Sequence, residues 1–363
     1  MRILVVNAGS SSLKLRVLDD EGRVVESADL PAPADDGSDD EVRRVVGGFG
    51  SIDAVGHRIV HGGTTYSGAV RLDDEVVANL EELVDYAPLH QPKSLAALAA
   101  VSSVLPDAPA VACFDTAFHA GLSPAASTYA IPREWRMRWD LRRFGFHGLS
   151  HDYASRRVAE LIGTSRDELL IVTAHLGAGA SLAAVAGGRS VDTTMGFTPL
   201  EGLVMATRSG SVDPGLVVWL QEHAGMPAAE LASTLERRSG LLGLAGTDDM
   251  RLVVERRDAG DRDASLAFDV YIHRLRSGIA SMAASMGGID ALAFTGGVGE
   301  HSAEVRKAAG DGLGFLGIEI DDADGDGDRE ISRAGSSVRT FVIEAREDLE
   351  IAREVRRVVS GLS

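Results

Sequence analysis

Thr173-Ala174-His175-Leu176-Gly177-Ala178-Gly179-Ala180-Ser181 is the stretch whose reading decides the fold. An apolar, β-branched run, residues 169–172, feeds into it, and a second apolar run, residues 182–185, leaves it. The pattern predicts a β-hairpin with a histidine at its entrance and no side chain at Gly177 and Gly179. Glycines at such a tip let backbone N–H groups come close to a phosphate. A plain tight turn between two strands accounts for the same letters. The hairpin alone leaves both readings open.

The chain opens the same way. Arg2-Ile3-Leu4-Val5-Val6 reads as a buried strand, is broken by Asn7-Ala8-Gly9-Ser10-Ser11-Ser12, and is followed by Leu13-Lys14-Leu15-Arg16-Val17-Leu18. Far downstream, Ala291-Leu292-Ala293-Phe294 runs into Thr295-Gly296-Gly297-Val298-Gly299-Glu300, read here as a further glycine turn. None of these continues as Gly-Lys-Ser/Thr, and none has the Rossmann spacing with its ribose-binding acid. A phosphate-type hairpin in each half, with the late glycine turn, predicts a duplicated nucleotide-binding fold that clamps a nucleotide between lobes.

Composition fits that picture. A chain of 363 residues favours two domains, and 45% hydrophobic with 25% charged residues is enough for a core in each. The net charge of −18 speaks against non-specific nucleic-acid binding. An anionic ligand must then be drawn by a local cluster of arginine and histidine. No apolar stretch is long enough to span a bilayer and the first residues carry no secretory pattern, so a cytoplasmic location is expected. The single cysteine, Cys113, excludes an internal disulfide and reads as a small buried hydrophobe.

Further along, a strand begins at Asp53-Ala54-Val55-Gly56, delivers His57 and Arg58, and ends at Gly62-Gly63. Asp73-Asp74 starts a helix that Pro88 stops, and a second helix covers 94–105. The strand 111–114 sets Asp115 at its carboxyl end, where open α/β sheets place ligands. Ser150 reads as the N-cap of a helix over 151–162. Helices are expected over 214–221 and 264–286 and from Ser302, and the strand 338–343 leads into a terminal helix. Residues 31–40 read as an exposed connection. Two patterns are decoys. The acidic run 322–328 mimics a calcium loop, but Arg333 stands where the loop needs glutamate, so it reads as a solvated turn. His147 and His151 lie four apart without the glutamate that a zinc-protease helix carries after its first histidine.

Several blocks together resemble acetate kinase. They are Val6-Asn7-Ala8-Gly9-Ser10-Ser11-Ser12-Leu13-Lys14, Gly56-His57-Arg58-Ile59-Val60-His61-Gly62-Gly63 and Phe114-Asp115-Thr116-Ala117-Phe118-His119. Phe144-Gly145-Phe146-His147-Gly148-Leu149-Ser150-His151 and Asp192-Thr193-Thr194-Met195-Gly196-Phe197-Thr198-Pro199-Leu200-Glu201-Gly202 continue the match in the family's order. The resemblance implies the acetate and sugar kinase, Hsp70 and actin superfamily. That means an α/β chain with a duplicated ribonuclease H-like (actin-like ATPase) fold, two lobes and an interdomain cleft. The implied N-terminal lobe is 1–146, with a last helix over about 349–363 packing back on it, and 147–348 is the nucleotide-binding lobe.

The implied reaction is reversible, direct in-line transfer of the ATP γ-phosphoryl to acetate, giving acetyl phosphate and ADP, in a homodimer that needs Mg²⁺ or Mn²⁺. The nucleophile is a carboxylate with a pKa of roughly 4–5, ionised at neutral pH without a general base. Repulsion between two anions is then the obstacle, so positioning and positive charge should dominate. Arg58 and Arg208 fit that demand as forks for carboxylate or phosphoryl oxygens, and His147 as a hydrogen-bond donor. By resemblance, Asp115 matches a catalytic acidic position that orients Arg58 or a metal-bound water, and Asn7 and Glu347 match the metal-linked positions. Val60, Leu89, Phe146 and Pro199 match an apolar pocket for the acetate methyl. Ser12, Lys14, His175, Gly177, Gly179, Asp249, Met250, Arg251, Gly296, Gly297, Gly299 and Glu300 match nucleotide contacts.

The chain departs from the family at Ala178, where asparagine is usual, at Gln91 and Ser94, and across residues 344–348. A propionate or butyrate kinase, a sugar kinase using Asp115 as base, and a non-metabolic actin-like ATPase are the competing readings.

Overall fold

The computed structural model describes residues 1–9, 12–31, 40–87, 91–321 and 325–361. Leu89, Pro88, Ser10, Ser11, Asp322 and Asp324 lie outside the described residues, as does most of the connection expected over 31–40.

Two six-stranded sheets organise the chain. In the first, β1 (Ile3–Ala8), β2 (Ser12–Leu18), β3 (Val24–Pro31), β4 (Ala54–Ile59), β5 (Val70–Arg71) and β6 (Ala110–Phe114) lie in the order β3-β2-β1-β4-β6-β5. The second contains β7 (Leu170–Leu176), β8 (Ala180–Ala186), β9 (Arg189–Thr193), β10 (Ala291–Thr295), β11 (Arg329–Glu330) and β12 (Arg339–Val342) in the order β11-β12-β10-β7-β8-β9. Read from the other edge, the second order repeats the first. In each, an antiparallel three-strand meander is extended by two parallel strands and a short antiparallel edge. This is the duplicated ribonuclease H-like, actin-like ATPase fold that the sequence predicts. The inner strands are buried on both faces, which is why they read as unbroken apolar runs, whereas β3 alternates and is half exposed.

The chain divides into two compact units: Met1–Gly121, Phe146–Tyr153 and Arg346–Ser363 form one, Leu122–Gly145 and Ala154–Ala345 the other. In the first unit, Leu4, Val6 and Val55 point to one face of the sheet. There they pack with Ala97 and Val101 of the helix Gln91–Val104 and Val42 and Val46 of the helix Asp40–Gly48. Ile3, Val5, Ala54, Val111 and Cys113 point to the other face and meet Ile351, Ala352 and Val355 of the helix Glu347–Val359. Gly56 lets that helix sit close: a Cβ there would lie 2.5 Å from the Ile351 side chain and 2.7 Å from that of Val355. Cys113 is fully buried and burial pushes its thiol up, so it behaves as a hydrophobe.

In the second unit the helix Arg262–Met286 packs across β7, β8 and β9. The Asp261 carboxylate caps it by accepting from the N–H groups of Asp263 and Ala264, and Gly287 ends it at φ 75°.

Four expectations are corrected. The helix read as 151–162 spans Gly148–Ile162, so Ser150 lies inside it and is not its cap. It starts early because His147 adopts φ 56° and the Gly148 N–H donates to the Asp115 carbonyl at 2.9 Å. The late glycines are not a turn: Gly296–His301 is a short helix, and Ser302 caps the next one, Ala303–Asp311. The helix from Asp74 ends at Glu82 and passes into a 3₁₀ turn, Leu83–Tyr86. In the acidic run, Asp328 is not a solvated charge; it pairs with Arg157 at 2.6 Å and accepts from the Glu344 N–H at 2.9 Å.

Candidate active site

Strand alternation gathers the first unit's polar candidates on one face. Asn7 is the last but one residue of β1, Arg58 lies two residues after Gly56 on β4, and Asp115 lies two residues after Cys113, just past the end of β6. All three therefore project towards the face covered by the helix Glu347–Val359. Glu347 is the first residue of that helix.

The four side chains form one network. The Arg58 Nε donates to both Asp115 oxygens, at 3.0 and 3.2 Å, and Nη2 donates to Oδ2 at 2.6 Å. Arg58 Nη1 donates to Asn7 Oδ1 at 3.1 Å, and Asn7 Nδ2 donates to Glu347 Oε2 at 2.8 Å. The Glu347 carboxylate stands 4.0 Å from Arg58 Nε. Asp115 is 1% exposed and Arg58 13%. Burial opposes the charge of Arg58, but Asp115 and Glu347 outweigh it and hold the guanidinium firmly protonated. Burial raises Asp115, and the facing guanidinium pulls it back. One N–H on each of Nη1 and Nη2 is left without a protein partner among the described residues, so this fixed fork still has donors for an anion.

His147 is half-buried, and its left-handed backbone is uncommon for a residue with a side chain. Gly148 makes the turn possible: a Cβ there would run into the Asp115 carbonyl and lie 2.9 Å from Phe118 Cβ. Val60 and Phe146 are buried in this unit, and the Phe146 ring meets His61 edge-on at 5.6 Å. Lys14 is exposed and pairs in register with Asn7, and the Ser12 carbonyl accepts from the Gly9 N–H at 2.8 Å.

In the second unit the glycine motifs come together. The parallel register sets His175 beside Thr295, next to Gly296. Gly296 holds φ 77°, and a Cβ on it would lie 2.9 Å from the Leu176 carbonyl oxygen. The hairpin tip closes with the Gly177 N–H donating to the Gly179 carbonyl at 2.9 Å. The Ala178 carbonyl accepts from the Ala206 N–H at 3.1 Å, tying the tip to the loop that carries Arg208. The half-buried Arg208 donates from Nη1 to the Pro199 carbonyl at 3.2 Å. Gly297 and Gly299 lie in the helix Gly296–His301, and the Glu300 carboxylate accepts from the Ala345 N–H at 3.0 Å. Asp249, Met250 and Arg251 open a different helix, Met250–Asp258. Asp249 caps it and pairs with the exposed Arg251 at 2.7 Å, and Met250 is buried.

Of the four apolar candidates, Val60 and Phe146 belong to the first unit and Pro199 to the second, and Leu89 lies outside the described residues. Sequence reasoning missed the residues that hold these loops. Arg143 donates from Nη1 to the carbonyls of Thr193, Thr194 and Met195 and pairs with Glu201 at 2.7 Å. Tyr129 donates to Glu201 at 2.5 Å and accepts from the Phe197 N–H at 2.8 Å. The buried Arg306 donates to the carbonyls of Gly299 and Glu300, both at 2.8 Å. The adjacent arginines at 142 and 143, before an apolar run, were the available signal for the first of these.

Among the described residues no group of three or more His, Cys, Asp or Glu side chains is arranged to hold a metal ion. The donors at hand are the Glu347 carboxylate and the Asn7 Oδ1, which accepts one bond from Arg58, while both Asp115 oxygens are engaged by the Arg58 fork. That set fits magnesium, which takes one or two carboxylates and completes its shell with phosphate and water.

Comparison with known proteins adds the following. The model of the acetokinase family matches residues 40–353. An acetate kinase from Gloeobacter violaceus is 48% identical over 316 residues, covering 86% of this chain and 78% of its own. One from Coprothermobacter proteolyticus is 42% identical over 400 residues, covering both chains completely. Among solved structures, the acetate kinase of Porphyromonas gingivalis matches with a TM-score of 0.90 and 34% identity, over 99% of each chain. The propionate kinase of Francisella tularensis also matches with a TM-score of 0.90, at 32% identity over 98% of this chain and 99% of its own.

Proposed function

Since this chain belongs to the acetokinase family, we propose that it transfers the γ-phosphoryl group of ATP to acetate, reversibly. The observation that carries the reading is the Arg58 guanidinium, fixed by Asp115 and Asn7 at the carboxyl ends of parallel strands with donors to spare.

An acetate oxygen attacks the γ-phosphorus, a new O–P bond forms, and the bond from that phosphorus to the bridging oxygen breaks. The electron pair leaves with ADP. No proton moves, because acetate is already ionised. The work of the protein is to hold two anions in line. In this reading Arg58 orients the acid or the phosphoryl oxygens, Asp115 keeps the guanidinium in one orientation, and His147 donates to an equatorial oxygen. Arg208 supplies the second fork, and Val60, Phe146, Pro199 and Leu89 receive the methyl group.

The nucleotide is assigned to the second unit. In this reading His175, Gly177 and Gly179 serve the phosphates, and Asp249 to Arg251 with Gly296, Gly297, Gly299 and Glu300 serve the adenosine, with Ser12 and Lys14 contributing from the first unit. Asn7 and Glu347 are the residues that would hold Mg²⁺ or Mn²⁺, which when bound neutralises charge on the β- and γ-phosphates. We assign the protein to the cytoplasm, where ATP is held, as a homodimer; light scattering on the purified protein tests the latter, and a monomer at assay concentration would refute it.

The test is to trap acyl phosphate with hydroxylamine in the presence of Mg-ATP and acetate, alongside Arg208→Ala. Hydroxamate that depends on acetate and collapses in the variant supports the reading. ATP turnover without hydroxamate would replace it with an acid-independent ATPase. Failure with ATP but success with another phosphoryl donor would trace to Ala178. Propionate is the second reading, because the Francisella propionate kinase matches as closely in shape as the Porphyromonas acetate kinase. One methylene is worth only ~1–3 kcal/mol, so both acids should turn over.

A further inference from the structure

Phe146 is held from two directions. Its carbonyl accepts from His119 Nε2 at 3.1 Å, and its ring rests edge-on against His61. A carbonyl only accepts, so His119 carries its proton on Nε2. His119 is fully buried, and its ring meets Phe118 edge-on at 5.6 Å and His151 edge-on at 5.7 Å. His61 is fixed in turn. Gln91, fully buried at the start of its helix, accepts from the His61 N–H and donates to the His61 carbonyl, both at 3.3 Å, and donates to the Leu80 carbonyl at 3.4 Å. The His61 Nδ1 accepts from the Gly63 N–H at 2.9 Å, which sets the plane of the ring that Phe146 meets. Val60 is the residue before His61. Two buried polar side chains from separate elements thus hold the backbone at Phe146 and beside Val60.

We propose that His119 and Gln91 are positioning residues that set the depth of the acid pocket and so which acyl chain is preferred. This rests on the reading of Val60 and Phe146 as pocket residues. Neither side chain need touch the acid. Each satisfies backbone groups at Phe146 or at His61, and an apolar replacement takes that partner from a buried carbonyl or N–H, so the segment shifts to find another. The first consequence is a change in the room beside the acyl chain. His119 acts as a neutral donor, since burial drives its pKa down to about 4. The same hydrogen bond also anchors the turn into His147, so some loss of turnover accompanies the change in preference.

The experiment compares the full-length protein with His119→Phe, His119→Asn and Gln91→Met. Hydroxamate formation is measured with acetate, propionate and butyrate, together with KM for Mg-ATP and thermal midpoints. His119→Phe and Gln91→Met are expected to raise acid KM on the order of tenfold and to shift the propionate-to-acetate ratio of kcat/KM by about three- to tenfold. KM for Mg-ATP should stay within about twofold, because a change at the acid pocket removes no nucleotide contact. His119→Asn keeps an N–H donor and should lie closer to the wild type. An equal fall of kcat for every acid with KM unmoved would assign these residues to fold maintenance alone and overturn the inference, as would unchanged kinetics. If His119→Phe does not fold, Gln91→Met decides by the same criteria. A wild-type protein that forms no hydroxamate with any acid overturns the functional reading first, and this one with it.

Discussion

Arg58 and Asp115, on neighbouring parallel strands, meet through both Nε and Nη2, the shortest contact being 2.6 Å. The carboxylate is 1% exposed, so its charge is countered by the guanidinium and by almost no water. Such a pair orients the arginine at the expense of desolvating both partners. What it secures is a fork whose direction does not depend on bound substrate.

Removing one partner should therefore cost more than removing both. Asp115→Ala is expected to destabilise the protein by about 3–5 kcal/mol, and the double variant Arg58→Met/Asp115→Ala by less. Activity should collapse in all of them. Urea midpoints test this, and additive losses would show that the pair is not coupled.

Gly148 should tolerate no side chain. Its Cβ would strike the Asp115 carbonyl, and Phe118 Cβ lies 2.9 Å away, so backbone must move. Gly148→Ala is expected to lose about 1–3 kcal/mol and most of its turnover, since Asp115 and His147 shift together. Gly121→Ala, where φ is likewise not positive and nothing stands within 4 Å of the added Cβ, is the comparison for an added methyl group without a clash. Equal losses at both sites would remove the steric argument.

Acid should unfold the protein through its buried histidines. Burial lowers the pKa of His57 to about 3 and those of His61 and His119 to about 4, against 6.5 in the unfolded chain. These groups are neutral when folded, and below pH 6.5 the unfolded state binds more protons. Their contribution is thus fully present above pH 6.5 and is lost as pH falls through 6.5 towards 4 and 3. Each contributes a slope of up to about 1.4 kcal/mol per pH unit in that window. Neither His57 ring nitrogen has a hydrogen-bond partner among the described residues. His57→Leu should then be near neutral at pH 7.5 and flatten the acid limb, read from urea midpoints between pH 7.5 and 5. An unchanged limb would rule His57 out as a contributor.

Arg143 and Glu201 should prove structural at a distance from any reacting atom. Arg143→Met leaves the carbonyls of Thr193, Thr194 and Met195 without their donor and Glu201 without its cation, at a cost of about 1–3 kcal/mol. Hydrogen exchange should quicken over residues 193–203 and little elsewhere. Uniform loss of protection would mean a global effect instead.

The inner strands were legible because burial on both faces writes an unbroken apolar run, and a ligand-facing residue interrupts it at the carboxyl end, whereas the partly exposed β3 and β9 were not read. Asp115 stood out for that reason and Arg58 for its place within an apolar strand, as did the glycines after His175 and after Thr295, whereas Asn7 was implied by the family resemblance. Helix starts were less legible. Ser150 looked like a cap because capping residues are recognised locally, whereas the true start depends on a hydrogen bond from Gly148 to Asp115, thirty-three residues earlier in the chain. The short edge strands β5 and β11 have two residues each, too few for any period to show.

By itself, then, the sequence determined the inner strands and the phosphate-type hairpin of each half, since both follow from local pattern, and its family resemblance implied the duplicated α/β plan and most of the residues near the ends of the parallel strands. Tertiary structure alone decided which of those ends are neighbours and what holds the loops around them. Strand order sets Arg58 between Asn7 and Asp115. The supports at Gln91, His119, Tyr129, Arg143 and Glu201 satisfy backbone groups or partners distant in sequence, and such pairings leave no periodic trace along a chain.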